Sequence, residues 1–155
     1  MLDALLASEV YGRDLNGRPK APTTHGVYLF SENEEPLYVG RTGKTERSIK
    51  AGKDSASGFR ARLAGHSRPS SGLSSASFAV RLAMKQAEVK ELELPARRSE
   101  RLSNERFAQL FIEAKKRITQ MEFRVVEVVE DRESAVFEVY AAFVLATPYN
   151  SFATS

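Results

Sequence analysis

Two short apolar runs separated by a polar segment form the clearest pattern in the chain. The runs are GVYLF at residues 26–30 and PLYVG at residues 36–40, and the five residues between them, SENEE, are all polar. Strand-like runs joined by a short polar segment predict a β-hairpin. With the turn centred on Asn33, Tyr28 lies directly opposite Tyr38, and both phenol hydroxyls lie on one face of the sheet.

The rest of the chain shows mainly helical periodicity and one further strand. A run rich in β-branched residues predicts a third strand at residues 122–129. Apolar residues at three-to-four spacing predict helices at residues 59–66, 103–118 and 135–146, the last with Ser134 at its start and Pro148 after its end. Residues 78–94 fit either a helix or a strand, and residues 67–77 are a serine-rich loop. Residues 1–24, a short helix followed by turns, are expected to be an N-terminal appendage.

Composition limits the class of protein. With 155 residues, 42% of them apolar, the chain is long enough for one domain with a buried core. No run approaches the roughly 18 consecutive apolar residues of a membrane helix, and no basic region precedes the first leucines, so we expect a soluble, cytoplasmic protein without a membrane partner. The chain has no cysteine and two histidines, which excludes disulfides and argues against a zinc site. Any bound metal should therefore be a hard, oxygen-bound cation.

Basic residues are concentrated directly after the second apolar run. Residues 41–68 contain eight lysines and arginines and two acidic residues, so this block carries +6 while the whole chain carries +3. Such a block next to the two tyrosines favours a polyanionic partner. A solvated, charged loop is an equally good explanation of the block taken alone.

Glu138 is the only charged residue within AVFEVYAAFVLAT at residues 135–147. A charge among apolar neighbours needs a partner, such as an arginine or a metal ion, or else a water-filled cleft. The alternative is that Glu138 lies on a narrow solvent-exposed stripe of the helix.

Arg62 and His66 are four residues apart in FRARLAGH and project from the same face of the predicted helix. Arginine binds phosphate oxygens through its fixed fork, and histidine exchanges a proton near neutral pH. The two side chains could therefore act in one site, although an arginine and a histidine one turn apart are also a common surface pair.

Taken in order, these residues resemble the motifs of the GIY-YIG nuclease superfamily. The family pattern is GIY, then YIG, then an arginine followed four residues later by a histidine, then a glutamate, then an asparagine shortly after a proline. The matching positions here are GVY at 26–28, YVG at 38–40, Arg62, His66, Glu138, and Asn150 after Pro148. Valine replaces isoleucine in both tripeptides, and the resemblance covers about residues 25–151.

The resemblance implies an α/β fold of the α+β kind, with a small, mainly antiparallel three-stranded sheet flanked by helices. It places the nuclease domain at residues 25–155, with insertions at about 42–58 and 67–99. Insertions at these two places make the layout most similar to the GIY-YIG restriction endonucleases.

The resemblance further implies a metal-dependent DNA endonuclease that hydrolyses phosphodiester bonds with one Mg²⁺ or Mn²⁺ ion held by Glu138. Tyr28 would be the general base and pass its proton to His66, because a free phenol with a pKa of about 10 is mostly protonated at neutral pH. Arg62 would clamp the scissile phosphate. The other expected site residues are Tyr38 and Asn150 as catalytic residues, and Gly40, Arg41, Lys44 and Arg60 as substrate-binding residues.

Duplex DNA is the expected partner, and a homodimer would allow both strands to be cut at a symmetric site. Two alternatives stay open: a catalytically silent nucleic-acid-binding module of the same fold, and a repair or recombination nuclease that acts on structured DNA. A nucleotide-binding P-loop is a poor explanation of GRTGKT at residues 40–45, because the position that needs the first glycine is Tyr38.

Overall fold

The computed structural model describes residues 1–12, 25–42, 65–66 and 77–151. In chain order the elements of these residues are α1 (Leu2–Ala7), β1 (Gly26–Glu32), β2 (Glu35–Arg41), α2 (Ser77–Val89), a 3-10 helix (Arg98–Ser103), α3 (Glu105–Ile118), β3 (Glu122–Glu127) and α4 (Asp131–Val144). The strands form one antiparallel sheet in the order β2, β1, β3. The predicted α+β class is therefore confirmed. None of the helices described is long and apolar enough to cross a membrane.

The hairpin turn between β1 and β2 is tighter than predicted. Asn33 and Glu34 are its two central residues, and both have positive φ angles, of 51° and 67°. Two successive positive φ angles are characteristic of the two-residue turn whose twist matches that of the flanking strands. Both strands consequently continue to the turn, with Glu32 paired to Glu35.

The register of the hairpin corrects the predicted pairing of the two tyrosines. Tyr28 lies opposite Gly40, and Tyr38 lies opposite Phe30, because the register shifts between Phe30 and Ser31. Leu37 is the extra residue of this bulge. Without it, continuous pairing from the turn would set Tyr38 opposite Leu29 and on the other face of the sheet. The bulge therefore puts both phenols on one face, as predicted, but two residues out of direct opposition.

Each face of the sheet is covered by helices. Tyr28, Phe30 and Tyr38 belong to one hydrophobic cluster with α2 and α3. On the other face, the alternate residues of β1 and β2 pack against α1 and α4; this second cluster consists of Leu5, Val27, Leu29, Val39, Val128, Phe137, Ala141 and Ala142. The side-chain alternation of β1 thus divides the core into two layers.

The boundaries of α3, α4 and β3 also differ from those predicted. α3 begins at Glu105, because the side chain of Asn104 caps it by accepting a hydrogen bond from the Phe107 amide at 3.1 Å. α4 begins at Asp131, where acidic residues of the first turn complement the helix dipole, so Ser134 is a buried residue inside the helix and not its N-cap. β3 ends at Glu127, whose partner Gly26 is the first residue of β1.

The segment that fitted either a helix or a strand is helical over Ser77–Val89. Phe78, Ala79, Val80 and Leu82 are all buried, so apolar residues occur on several sides of α2 and its sequence also alternates like a strand. The described part of the N-terminal segment also contacts the sheet, since Leu5 is buried and the Tyr11 amide donates to the carbonyl of Phe123.

Several predicted features lie outside the described residues. Of the predicted helix at 59–66, the structure describes Gly65 and His66, which are helical. Of the insertion at 42–58 it describes Thr42, and of the loop at 67–77 it describes Ser77.

Candidate active site

Tyr28 and His66 are joined by a hydrogen bond in the interior of the protein. The Tyr28 hydroxyl lies 3.2 Å from Nε2 of His66, and which atom donates depends on the imidazole tautomer. The two residues are 0% and 1% exposed. Tyr28 is held by its strand and by edge-to-face or tilted contacts with Phe30 and Phe123. A proton can therefore pass between the phenol and the imidazole without leaving the protein interior.

Gly40 makes room for the hydroxyl end of Tyr28. A β-carbon built on Gly40 would lie 2.4 Å from both the phenol oxygen and Cζ of Tyr28, far inside van der Waals contact. Tyr28 faces Gly40 across the hairpin, so this contact follows from the register. The resemblance implies that Gly40 is a substrate-binding residue, and in the structure the group that approaches Gly40 is the phenol of Tyr28.

Tyr38 completes a group with Tyr28 and His66 that we call the tyrosine–histidine cluster. Its ring lies 6.5 Å from the ring of Tyr28 and 5.9 Å from that of His66, centroid to centroid. It stacks on Phe78 of α2 at 4.6 Å with an interplanar angle of 8°, and its hydroxyl lies 3.3 Å from the hydroxyl of Ser77. Neither Phe78 nor Ser77 is identified as a site residue by the sequence motifs.

Asn150 fastens the segment after α4 to the outer edge of β2. Its Oδ1 accepts from the Val39 amide at 2.8 Å, and its Nδ2 donates to the Val39 carbonyl at 2.7 Å. The Asn150 side chain thus bonds both the amide and the carbonyl of Val39, as the backbone of a neighbouring strand would. Thr147 orients it by donating to Oδ1 at 2.8 Å.

Arg41, Asp131 and Glu138 form a second group, the arginine–carboxylate cluster. Nε of Arg41 lies 3.2 Å from Glu138, and Nη1 lies 2.8 Å from Asp131. The two acids are seven residues apart, two turns along the same side of α4. The arginine partner that Glu138 required among its apolar neighbours is therefore Arg41, the residue that follows Gly40.

The two clusters lie on opposite faces of the sheet but on adjacent rungs of the hairpin. Tyr28 is paired with Gly40, and the next rung pairs Val27 with Arg41 on the face covered by α4. The structure therefore brings Tyr28, Tyr38 and His66 together on one face of the sheet. Arg41, at the end of β2, and Glu138 lie on the opposite face, and Asn150 lies at the outer edge of β2. Arg62, Lys44 and Arg60 lie outside the described residues.

The donor groups on α4 are of the kind that a hard cation takes. Ser134 lies between Asp131 and Glu138 on the same side of the helix, and its hydroxyl is buried without a hydrogen-bond partner among the described residues. Carboxylate and hydroxyl oxygens suit Mg²⁺. Within the described ranges there is no group of three or more histidine, aspartate or glutamate side chains arranged for a metal, so any ion here would rely on one or two carboxylates and water.

Sequence reasoning missed Asp131, the second acid on Arg41. Its signal is the spacing of seven from Glu138, which places both carboxylates on one side of a helix, but the predicted start of α4 at residue 135 excluded Asp131 from that helix.

Comparisons of the chain with protein-family models, with curated proteins and with solved structures found no match.

Proposed function

We propose that the protein is a metal-dependent DNA endonuclease in which Tyr28 is the general base for phosphodiester hydrolysis. The observation that carries the proposal is the hydrogen bond between the Tyr28 hydroxyl and His66. A phenol needs an acceptor for its proton to act as a base at neutral pH, and an imidazole is the side chain best suited to that task. The resemblance to the GIY-YIG nucleases assigns the same roles to the same two residues.

The proton path uses only groups within the tyrosine–histidine cluster. Tyr28 would take the proton of the attacking water, and His66 would receive the phenol proton through Nε2. The tautomer of His66 with Nε2 unprotonated is the one that can accept it. Tyr38, with its ring fixed on Phe78, would offer its hydroxyl to a phosphate oxygen.

Arg41 is the described cation best placed to meet the substrate. It is held at the end of β2, and its side chain is 30% exposed while that of Glu138 is 20% exposed. A DNA phosphate would take the guanidinium and leave the carboxylate of Glu138 able to hold Mg²⁺ or Mn²⁺. The bound ion would stabilise charge that develops on the phosphate in the transition state. Because Asp131 also binds Arg41, the arginine keeps a partner during this exchange.

Positive charge that follows Arg41 along the sequence supports DNA as the substrate class. The block at residues 41–68 carries +6, and it begins at Arg41. Lysine and arginine side chains of such a block would bind the phosphate backbone without reading base sequence. Arg62, Lys44 and Arg60 belong to this block and remain proposed phosphate contacts. The restriction-type role and the cytoplasmic location likewise stay part of the proposal.

The decisive experiment compares Tyr28→Phe with Tyr11→Phe, a matched variant that removes the hydroxyl of a tyrosine outside the cluster. Supercoiled plasmids are incubated with each protein and Mg²⁺ or Mn²⁺, with EDTA as a blank, and DNA affinity is measured by fluorescence anisotropy. We expect Tyr28→Phe to abolish nicking and to retain affinity within about twofold, while Tyr11→Phe cuts like the wild type. Cleavage by Tyr28→Phe at the wild-type rate would refute the proposed base.

The burial of the tyrosine–histidine cluster favours one other function, a catalytically silent nucleic-acid-binding module of the same fold. With Tyr28 and His66 almost inaccessible, the cluster would serve as an aromatic core, and Glu138 would simply neutralise Arg41. This module would bind DNA with the salt dependence of phosphate contacts and would cut no substrate, including branched DNA, with any divalent cation.

A further inference from the structure

The outward side of α4 is apolar and exposed. Its residues, which we call the α4 outer face, are Val136, Val139, Tyr140, Phe143 and Val144. Phe143 is 83% exposed and Val136 70% exposed, which is unusual for large hydrophobic side chains that are clustered. Glu138, the one charged residue between residues 135 and 147, turns away from this face toward Arg41. The face therefore has no charge of its own.

The spacing of these five residues indicates what kind of element would cover them. Relative to Val136 they lie at i+3, i+4, i+7 and i+8, which is the stripe of a helix that packs against another helix. The opposite side of α4, with Phe137, Ala141 and Ala142, packs on the sheet. A helix that is apolar on both sides is normally buried on both sides.

The face is slightly smaller than one side of a small, stable protein–protein interface. From the exposed fractions, the five side chains offer on the order of 500 Å², compared with about 600–800 Å² per partner in modest stable complexes. Met1 is also exposed and lines the same groove as Val136 and Tyr140, and the charged pair Arg132 and Glu133 borders that groove. A nucleic acid is a poor occupant, because a neutral apolar face offers nothing to phosphates.

We propose that the α4 outer face binds the same face of a second copy of this chain, with the two α4 helices antiparallel about a two-fold axis near Tyr140. A two-fold axis makes an interface self-complementary. Here it would set Val136 of one copy against Val144 of the other. The five residues of the face are uncharged, so like charges would not meet across them, and the helix dipoles would run in opposite directions.

This dimer does not rest on the nuclease proposal. Glu138 faces Arg41 on the inner side of α4, the tyrosine–histidine cluster lies beyond the sheet, and Asn150 lines the groove beside the α4 outer face. The contacts proposed between the copies involve none of these side chains, so the two copies would associate whether or not the protein cuts DNA. Failure of either proposal would leave the other standing.

Sedimentation equilibrium of the full chain up to about 200 µM tests the dimer. We expect the wild type to approach twice the chain mass of 17.2 kDa, and Phe143→Lys to weaken the dimer at least roughly 30-fold with an unchanged circular-dichroism spectrum. Val89→Lys, at an equally exposed valine at the end of α2, should leave the dimer unchanged. A wild type that is monomeric over this range, or a dimer that Phe143→Lys does not weaken, would overturn the proposal.

A charge pair tests the antiparallel arrangement. Val136→Glu combined with Val144→Glu should abolish the dimer, whereas Val136→Glu combined with Val144→Lys should restore it, because residue 136 of each copy would meet residue 144 of the other. These residues are two turns apart within one chain, so an intrachain pair cannot explain the rescue. If both double variants are monomers, or both are dimers, the proposed arrangement is wrong.

Discussion

Gly40 lies directly under the phenol of Tyr28, so that a β-carbon at residue 40 would come within 2.4 Å of the Tyr28 oxygen. The same oxygen is hydrogen-bonded to His66. The position of the proposed base therefore depends on the absence of a side chain at residue 40. A single methyl group there should displace the Tyr28 hydroxyl from His66.

We predict that Gly40→Ala displaces the Tyr28 ring and lowers the free energy of unfolding by about 1–3 kcal/mol, the usual effect of overpacking a core. Cleavage should also fall, because a displaced Tyr28 hydroxyl no longer meets His66. Urea unfolding gives the stability, and the plasmid assay gives the activity. Gly12→Ala is the matched control, because a β-carbon at residue 12 meets nothing within 4 Å. Equal stability of the two variants would show that a β-carbon at residue 40 does not clash with the Tyr28 phenol.

A second prediction concerns the competition between Arg41 and a metal ion for Glu138. In Arg41→Gln the two acids of the arginine–carboxylate cluster lose their cation, so the affinity of the DNA-free protein for Mn²⁺ should rise about 2–5-fold, the effect of a partly exposed ion pair. Titration monitored by electron paramagnetic resonance of Mn²⁺ measures this change.

Two further variants isolate the source of that gain. Lys85→Gln, which breaks the exposed pair between Lys85 and Glu88, should leave Mn²⁺ affinity unchanged. Adding Glu138→Gln to Arg41→Gln should remove the gain. A gain that persists without the Glu138 carboxylate would show that Glu138 is not the metal ligand.

The hairpin shows why the sequence predicts the face of the tyrosines but not their pairing. Apolar runs around a polar segment locate both strands, whereas register depends on which residues take positive φ and on whether a residue is bulged. Asn33 and Glu34 have the positive φ angles of the turn, and Leu37, next to Pro36, is the bulged residue. Proline has no amide to donate to the ladder, which is a reason for irregular pairing beside it. Nothing in SENEE specifies that outcome.

α4 shows a different limit. The sequence identifies Glu138 as a charge that needs a partner, but it leaves open whether that partner is an arginine, a metal ion or water. The partner is Arg41, because the alternation of β2 points its side chain toward α4 and the packing of α4 on the sheet places Glu138 beside it. The helix predicted at residues 135–146 is almost wholly apolar, so its sequence does not show which side faces the sheet.

A third prediction follows from the two hydrogen bonds between Asn150 and Val39. Asn150→Asp keeps the shape of the side chain but replaces the donor Nδ2 with an oxygen that faces the Val39 carbonyl. We expect a loss of about 1–3 kcal/mol in the free energy of unfolding, because a hydrogen bond becomes an unsatisfied contact. Urea unfolding at pH 7 measures it, with Asn33→Asp in the exposed turn as the control. A change no larger than that of the control would show that Asn150 does not fasten the edge of β2.

A fourth prediction concerns the pH dependence of stability. Lys115 of α3 is 1% exposed, with its ammonium 4.4 Å from the centre of the Phe111 ring, and burial lowers its pKa from the usual 10.5 to about 8. Between pH 8 and 10.5 the unfolded chain therefore holds a proton at this lysine that the folded protein has released. Stability contributed by this group must then rise with pH across that window, and below pH 8 folding has to bury the charge.

Lys115→Met should remove this contribution, because methionine has a similar length and no titrating group. We expect the free energy of unfolding, measured in urea from pH 7.5 to 10, to increase with pH in the wild type relative to Lys115→Met. The two proteins share every other side chain, so the difference between the two curves isolates residue 115. Lys85→Met, at an exposed lysine, should run parallel to the wild type. A Lys115→Met curve parallel to the wild type would mean that Lys115 remains charged in the folded protein to its ordinary pKa.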